Sequence, residues 1–358
     1  APAARDWYGY AGIHPSVARS ETFAAGRETS SPVPPFVRED HVRQYLLAVS
    51  LLAAASLPAA ASPEEQPASG RRELGGHQFM VSHLIEDPFS VTSFGANFAF
   101  GVGQALGPRL DLSTFPPTIQ QESKWYSYST LVQQLDLTAR ITENLSLRAG
   151  LLAGVRQGAS EGSALVVGSN VGISGILGVK GSVALGDSLR LSLSGQGAYG
   201  PRLNLLILQG LINAQKAGSF TAADLFQDRN AMSLVATAAA AWGVTPWLGF
   251  GLNVQYLHTK SEDISGSTQD GMAAAGSLEL DARPLLHWLP LGADFSYRRT
   301  GAVGNGGLAN QDEWSWGIYY TGRRDLMLGI EVDQLRGRLE TQLSAKQTMG
   351  WLNFRYYW

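Results

Sequence analysis

Residues Leu248 to Tyr256 read LGFGLNVQY, and every second side chain in this stretch is large and apolar. The positions between them hold glycine, asparagine and glutamine. The same alternation recurs in Phe94–Gly103 (FGANFAFGVG) and in Trp314–Thr321 (WSWGIYYT). Because successive side chains of a strand point to opposite faces, strict alternation predicts strands with one apolar and one polar face.

The pattern continues through the second part of the chain. It predicts twelve strands, at 94–105, 129–141, 145–157, 169–184, 187–200, 232–245, 247–261, 271–282, 288–299, 312–322, 325–337 and 347–358. Globular strands usually have about five or six residues, and most of these segments are longer. They match the roughly 9–11 residues that cross a bilayer at a tilt, with additional residues at the ends. An even strand number is typical of bacterial single-chain barrels.

The connections between the predicted strands alternate between short and long. The short ones lie near 142–144, 186–187, 245–246, 283–287 and 323–324. The long ones lie near 106–128, 158–168, 200–231, 262–270, 300–311 and 338–346. Short turns at one end and longer loops at the other are typical of transmembrane barrels. The sequence therefore predicts an all-β, twelve-stranded antiparallel transmembrane β-barrel over 94–358, with its apolar face toward lipid.

The amino-acid composition is consistent with strands in which apolar and polar residues alternate. Charged residues make up 16 % of the 358 residues, below the roughly 25 % of soluble domains. The 27 Lys and Arg against 30 Asp and Glu leave a net charge of −3, which argues against a nucleic-acid-binding protein because such proteins carry basic surfaces. Mean hydropathy is −0.05, too low for a bundle of transmembrane helices, each of which needs about 20 apolar residues. There is no cysteine, so the fold does not depend on disulfides.

An export signal is predicted upstream of the barrel. Residues 45–61 read YLLAVSLLAAASLPAAA, follow Arg38 and Arg43, and end in three alanines. A basic region, an apolar run and a small-residue cleavage site define a secretory signal peptide, which we assign to 38–61. Residues 1–37 have no periodicity and are predicted to be an unstructured extension. Residues 62–93 are predicted to be a periplasmic linker or a short plug.

The last twelve residues, QTMGWLNFRYYW, carry a resemblance to a known class of protein. Apolar and aromatic side chains stand at two-residue steps up to the chain end, at Leu352, Phe354, Tyr356 and Trp358. The pattern resembles the C-terminal signal of Gram-negative outer-membrane β-barrel proteins, although phenylalanine is the commoner last residue. The resemblance implies a bacterial outer-membrane location, contact with lipid and lipopolysaccharide, and recognition of the last strand by the barrel-assembly machinery.

Alternate side chains of a strand form two sets, which we call its two parities. If one parity of each strand faces lipid, the other faces the lumen. The predicted lumen-lining residues are Asp136, Arg140, Arg148, Arg156, Lys180, Arg190, Glu279, Asp281, Asp294, Arg298, Glu331, Asp333 and Arg355. Basic residues dominate the second to fifth predicted strands, and acidic residues dominate the eighth to eleventh. In a ring of twelve strands these groups lie on opposite walls. Either they create a transverse field across a water-filled pore, or they pair and fill a closed lumen.

Two other features bear on whether the lumen is open. Glycines stand at several inward positions, including Gly249, Gly251 and Gly292, where they leave room or ease sheet curvature. The longest loop, near 200–231, contains a stretch that is predicted to be partly helical. In general porins, to which the resemblance points, the third outside loop narrows the barrel. A surface loop is the alternative.

The sequence shows little sign of catalysis or metal binding. The histidines are scattered, at His14, His41, His77, His83, His258 and His287, and they predict no metal site and no cofactor. His258 lies on the outward face near the rim, and Ser261 and Ser267 follow it in the loop. A lipid-directed hydrolase would need such a Ser–His pair, so this alternative stays open, although no enzymatic activity is expected.

The function predicted from these features is an outer-membrane channel or transporter that lets small hydrophilic solutes pass through a charge-lined lumen. The solute itself is not predicted. One alternative is a non-conducting surface barrel that acts as an adhesin, a receptor or a structural protein. Another is a transporter of small hydrophobic ligands, because the loop near 200–231 is apolar at Leu205 to Leu208.

Overall fold

The computed structural model describes residues 72–358, except 81, 112–117, 160–166, 206–225, 262–267, 304–309 and 339–343. The predicted extension (1–37), the signal peptide (38–61) and the predicted constriction within 206–225 lie outside the described residues. No helix within the described part of the chain is long and apolar enough to cross a membrane.

Twelve antiparallel strands form a closed barrel, which confirms the predicted fold class. They are β3 (Ser93–Asp111), β4 (Thr118–Thr142), β5 (Leu145–Gly158), β6 (Ser169–Leu185), β7 (Leu189–Leu205), β8 (Phe226–Thr245), β9 (Leu248–Ser261), β10 (Thr268–Asp281), β11 (Leu291–Ala302), β12 (Gln311–Tyr320), β13 (Leu326–Arg338) and β14 (Ser344–Tyr357). Each strand pairs with the next along the chain, and β14 pairs with β3 to close the ring.

Two hairpins extend farther than predicted. β3 and β4 continue into the predicted loop 106–128, up to the pairing of Asp111 with Thr118. The ladder shifts register between Pro108 and Leu110, where proline has no N–H to donate. β7 and β8 likewise extend to the pairing of Leu205 with Phe226, into the predicted loop 200–231. Alternation of apolar and polar residues weakens in these extensions, so periodicity placed the strand ends too early.

The two faces of the barrel differ sharply in chemistry. Leu193, Ile330 and Phe100 point outward and are 60 % exposed or more. Their inward neighbours are polar, and Ser296 and Glu331 have no exposed surface. Apolar side chains outside and charged side chains inside reverse the arrangement of a soluble protein. The outer face is therefore the one that contacts lipid.

A short hairpin precedes the barrel. Its strands β1 (Glu73–Leu74) and β2 (His77–Gln78) pair directly. Gly75 and Gly76 form the turn at φ of +58° and +82°, and a two-residue turn of this kind needs positive φ at both positions. The hairpin sits at the short-turn end of the barrel, where the Gly75 N–H donates to the Asp187 carbonyl at 2.7 Å.

Residues 72–92, which we call the plug, lie within the ring of strands. Apolar side chains of the plug pack against inward residues of β8, β12, β13 and β14 in one buried cluster. The members of the cluster are Leu74, Phe79, Met80, Phe89, Val91, Ala241, Tyr319, Met327 and Tyr357. Within the segment 62–93, for which a linker or a short plug is predicted, the described residues pack against the inner wall of the barrel; the assignment of the whole segment stays a prediction.

Candidate functional site: the charged lumen and its plug

The closed ring places the two charged groups of strands opposite each other. Six steps separate β12 from β6 in the ring of twelve strands. We call β4–β7 the basic wall and β10–β13 the acidic wall. The predicted separation of charge in the sequence thus corresponds to two sides of one lumen, and the plug lies between them.

On the basic wall, the predicted residues share the inward parity of buried neighbours. Asp136, the one acid predicted there, is buried and accepts hydrogen bonds from Arg355 of β14 at 2.8 and 3.0 Å. Arg148 lies 3.6 Å from the same carboxylate and donates to Gln196 at 3.2 Å. Asp136 is therefore neutralised by Arg148 of its own wall and by Arg355 of the last strand, which lies beyond β3.

The remaining basic residues lie at different depths. Arg140 and Arg190 are near the short-turn end: the Arg140 N–H donates to Thr92 of the plug at 3.1 Å, and Arg190 stands over the Phe89 ring at 5.3 Å. Lys180 donates from Nζ to the Asp87 carbonyl at 2.7 Å. Arg156 is eight residues beyond Arg148 along β5, toward the long loops. Most of the basic wall therefore faces the plug.

On the acidic wall, Glu279, Asp294, Glu331 and Asp333 are almost completely buried. Glu279 accepts a hydrogen bond from the Met80 N–H of the plug at 2.6 Å. Arg298, the predicted basic exception, pairs with Glu313 of β12. None of the described ion pairs joins the basic wall to the acidic wall. The plug lies between the walls, so the structure shows neither direct pairing across a closed lumen nor two walls that face each other across an empty pore.

Asp281 faces inward but serves the turn after β10. Its carboxylate accepts hydrogen bonds from Thr321 and from the Arg283 N–H, both at 3.0 Å. Aspartate at a strand end commonly bonds nearby backbone in this way. Strand alternation predicts Asp281 as a lumen-lining residue, and it does not indicate that this carboxylate bonds to Thr321 and to the turn at Arg283.

The plug carries charges that complement both walls. His83 contacts the acidic wall: its Nδ1 lies 2.5 Å from Glu331 and its Nε2 lies 2.8 Å from Asp333. Asp87, four residues later, lies toward the basic wall next to Lys180. Arg72 pairs with Asp87 at 3.1 Å and donates to the Phe79 carbonyl at 2.6 Å. The plug is therefore oriented by the transverse charge separation of the lumen.

Burial and neighbouring charges shift the pKa values of His83 and Asp87 in opposite directions. Burial lowers the pKa of His83, but its close contacts with the Asp333, Glu313 and Glu331 carboxylates outweigh burial and raise that pKa well above its ordinary value. Burial raises the pKa of Asp87, but the positive charges of Arg72 and Lys180 outweigh it and lower that pKa. Both walls thus favour the charged form of the plug residue that faces them.

A polar chamber remains beside the plug. It is a cavity of about 320 Å³. Its lining combines plug residues Glu86 and Asp87 with the wall residues Arg148, Lys180 and Arg298. Amide and hydroxyl side chains also line it, at Asn97, Gln134, Thr138, Ser146, Ser194, Gln196 and Gln255, as do the apolar residues Leu84, Ile85, Ile176, Val179, Val235 and Leu257. The chamber can therefore hold water or a small polar molecule.

At two inward glycines, Gly249 and Gly243, the plug occupies the space that a side chain would take. A Cβ atom built on Gly249 would lie 2.4 Å from the His77 ring, and one on Gly243 would lie 1.9 Å from the Leu74 carbonyl oxygen. Real Cβ atoms do not approach other atoms so closely. At these two positions the absence of a side chain lets the plug hairpin approach the wall.

Sequence reasoning missed Glu313, His83, Asp87 and Arg72. Glu313 shares the inward parity of Ser315 on β12, so parity could have found it. The plug residues follow no strand or helix period. Gly75-Gly76 was the available signal for the hairpin, but no sequence pattern indicates which wall each plug residue meets.

His258 lies on β9 near the long-loop end, as predicted. Its Nδ1 is 2.8 Å from Oδ1 of Asp270, and the Tyr256 hydroxyl donates to the same oxygen at 2.8 Å. A carboxylate that orients a histidine is one part of a hydrolytic triad. Ser267 and the side chain of Ser261 lie outside the described residues, so the alternative of a hydrolase stays a prediction.

The predicted assembly signal lies on the outer face of β14. Leu352 is 57 % exposed and Trp358 is 46 % exposed, and the Tyr356 and Trp358 rings stack at 6.0 Å. A closed antiparallel barrel with an apolar exterior, a charged interior and this last strand is an outer-membrane β-barrel. The chain is a protein of the bacterial outer membrane.

No protein-family model matches the chain, and no curated protein matches it. Solved structures resemble it at low identity. The transport unit of the autotransporter AIDA-I from Escherichia coli is 11 % identical, with 87 % of this chain and 97 % of that chain covered and a TM-score of 0.44. The translocator domain of NalP from Neisseria meningitidis is 12 % identical, with 89 % and 98 % covered and a TM-score of 0.41. The toluene transporter TodX from Pseudomonas putida is 10 % identical, with 82 % and 98 % covered and a TM-score of 0.38.

Proposed function

We propose that the barrel is an outer-membrane channel for small hydrophilic solutes, and that the plug shifts within the lumen when a solute passes. The observation that supports this most is the polar chamber beside the plug. Besides apolar residues such as Leu84 and Ile85, its lining includes cations, anions, and amide and hydroxyl groups. An apolar solute would leave these groups without partners, which costs free energy, whereas a hydrophilic solute replaces the water that solvates them.

Several contacts between plug and wall are of a kind that solvent or solute can replace. Lys180 donates to the Asp87 carbonyl, and Asn253 donates to the Leu84 carbonyl at 3.2 Å. A hydrogen bond that involves a charged group, such as that of Lys180, contributes about 1.5–3 kcal/mol, and a neutral one, such as that of Asn253, about 0.5–1.5 kcal/mol. These two contacts can therefore be exchanged for contacts to water at a modest cost in free energy.

Swelling of proteoliposomes tests the proposal. Vesicles that contain the purified barrel are diluted into isosmotic solutions of a neutral pentose, an anionic sugar acid and a cationic amino sugar. We expect swelling that empty vesicles lack. Replacement of both Arg148 and Lys180 by Gln should lower the entry of the anion relative to the cation, because it removes positive charge from the chamber.

The matched control is Arg323→Gln, which removes a positive charge from an exposed turn outside the lumen. It should leave the ratio of anion to cation entry unchanged. A lack of swelling with every hydrophilic solute, in vesicles whose barrel shows the heat-modifiable gel migration of a folded barrel, would contradict channel function.

A second candidate is a non-conducting surface barrel with a permanently seated plug. The contacts of the hairpin at the short-turn mouth favour it. Glu73 pairs with Arg324 at 2.8 Å, and Gly75 bonds the backbone of the turn at Asp187. Failure of the swelling experiment, with folding established, is the result this candidate predicts.

A further inference from the structure

One histidine of the plug and three carboxylates of the acidic wall converge at one point in the lumen. Nε2 of His83 lies 2.8 Å from Oδ2 of Asp333 and 3.8 Å from Oε1 of Glu313. One ligand atom from each of these three residues lies within 4.8 Å of the others. Glu331 contacts the other ring nitrogen of His83 at 2.5 Å.

Two buried atoms of this group lack hydrogen-bond partners. They are Nε2 of His83 and Oδ1 of Asp333. The side chain of His83 is 10 % exposed and that of Asp333 is 2 % exposed. Although His83 Nε2 is close to Asp333 Oδ2, the two do not form a hydrogen bond. Buried polar atoms are nearly always satisfied, so this pair points to a ligand.

The charge of the acidic wall also favours a bound cation. Six buried carboxylates lie there, those of Glu279, Asp281, Asp294, Glu313, Glu331 and Asp333, each 7 % exposed or less. Among the described contacts, the cations beside them are Arg298 and, when protonated, His83 and His77. Carboxylates therefore outnumber cations in the described part of this buried region.

Neighbouring side chains hold the three residues in place. Trp351 stacks on the His83 ring at 4.6 Å between centroids and donates from Nε1 to Asp333. Arg298 pairs with Glu313. Groups that orient metal ligands in this way commonly increase metal affinity.

We propose that His83, Glu313 and Asp333 bind one divalent transition-metal ion, which fastens the plug to the acidic wall. One imidazole nitrogen with carboxylate oxygens is a donor set suited to zinc. A metal ion binds the neutral imidazole, so its binding releases one proton from protonated His83 to solvent. This goes beyond the proposed function, because metal affinity does not depend on conduction.

Isothermal titration calorimetry tests the site, with the full-length barrel purified in detergent without a polyhistidine tag. Zinc chloride is the probe and magnesium chloride the reference. We expect saturable one-to-one binding of zinc and at least tenfold weaker binding of magnesium. His83→Gln and Asp333→Asn should each weaken zinc binding by about tenfold or more.

His258→Gln is the matched control. His258 also lies 2.8 Å from a carboxylate, that of Asp270, but both side chains are about one-third exposed and one carboxylate is present. Its replacement should leave zinc affinity unchanged. If His83→Gln does not fold, Glu313→Gln provides the same test without changing the plug. Absence of saturable zinc binding, or wild-type affinity in the folded His83 or Glu313 variant, would overturn the proposal. Zinc binding without solute-induced swelling would retain the metal site and reject the channel.

Discussion

Arg355 and Asp136 belong to strands that are not direct neighbours. Both are in register with Gly95 of β3, which stands between β14 and β4. A Cβ on Gly95 would lie 3.0 Å from both charged groups. The glycine therefore leaves space for Arg355 to reach Asp136. The ion pair joins β14 to β4 across β3, inside the lumen.

We predict that Asp136→Asn lowers the free energy of unfolding by about 3–5 kcal/mol, because it leaves Arg355 buried without its full countercharge. Urea unfolding of the refolded barrel in lipid vesicles measures the change. Arg299→Gln is the control, since Arg299 is 67 % exposed in its pair with Asp312. Exposed pairs contribute about 0–1 kcal/mol. Equal effects of the two substitutions would contradict the structural role given to Asp136.

Gly249→Ala tests the close approach of the plug hairpin. The added methyl group overlaps the His77 ring, and such overpacking costs about 1–3 kcal/mol. We predict that it weakens the seating of the plug and increases the rate of solute entry into proteoliposomes. Gly195→Ala is the control, because a Cβ there has no neighbour within 4 Å. An unchanged rate in Gly249→Ala would show that the hairpin does not limit passage.

At the residue scale, alternation predicted which wall residues point inward, because the face of a strand follows directly from parity. It could not predict the partners of His83. Glu331 is 248 positions away in the sequence, and the plug has no period that fixes its orientation. The proposed metal site could not be predicted for this reason, since one of its three residues comes from the plug.

β14 combines two roles, closure of the barrel and the predicted assembly signal. The Trp358 ring stacks against Tyr356 on the outer face. The backbone N–H of Trp358 donates to the Thr92 carbonyl at 3.2 Å. We predict that Trp358→Ala reduces the amount of folded barrel in outer membranes several-fold, while the urea midpoint of refolded protein changes little. Quantitative gel analysis of membrane fractions measures the first effect. Normal assembly would contradict a role of Trp358 as a signal.

The plug can be located by a disulfide, because the chain has no native cysteine. Ser90 of the plug and Ser182 of β6 are buried with their hydroxyl oxygens 2.9 Å apart. We predict that the double variant Ser90→Cys/Ser182→Cys forms an intramolecular disulfide, whose S–S length is about 2.0 Å. Non-reducing gels after denaturation detect the closed loop, with each single variant as a control. Two freely alkylated thiols in the folded barrel would place the plug elsewhere.

At the element scale, the number and order of strands were predictable because each membrane-crossing segment must alternate in polarity. The outer ends of β3, β4, β7 and β8 were not, since a strand beyond the bilayer has no lipid-facing side and need not alternate. The hairpin β1–β2 is too short for periodicity to detect, and only its two glycines indicate it.

For the whole molecule, closure of twelve strands turns two stretches of sequence charge into opposite walls. The net charge of −3 conceals this separation. The opposite charges of the two walls explain the orientation of the plug. His83 contacts the acidic wall, and Asp87 lies toward the basic wall. The same arrangement makes the docking of the plug dependent on charge.

Single-channel recording in planar bilayers tests this claim most directly, with the wild-type barrel compared with Asp87→Asn. The substitution keeps the size of the side chain but removes the negative charge that faces Lys180 of the basic wall and pairs with Arg72 of the plug. A hydrogen bond to a charged group contributes about 1.5–3 kcal/mol, and 1.4 kcal/mol corresponds to tenfold. We predict infrequent stepwise openings in the wild type and an open fraction about tenfold higher in Asp87→Asn. Equal open fractions, or no conductance steps from either folded barrel, would contradict the account.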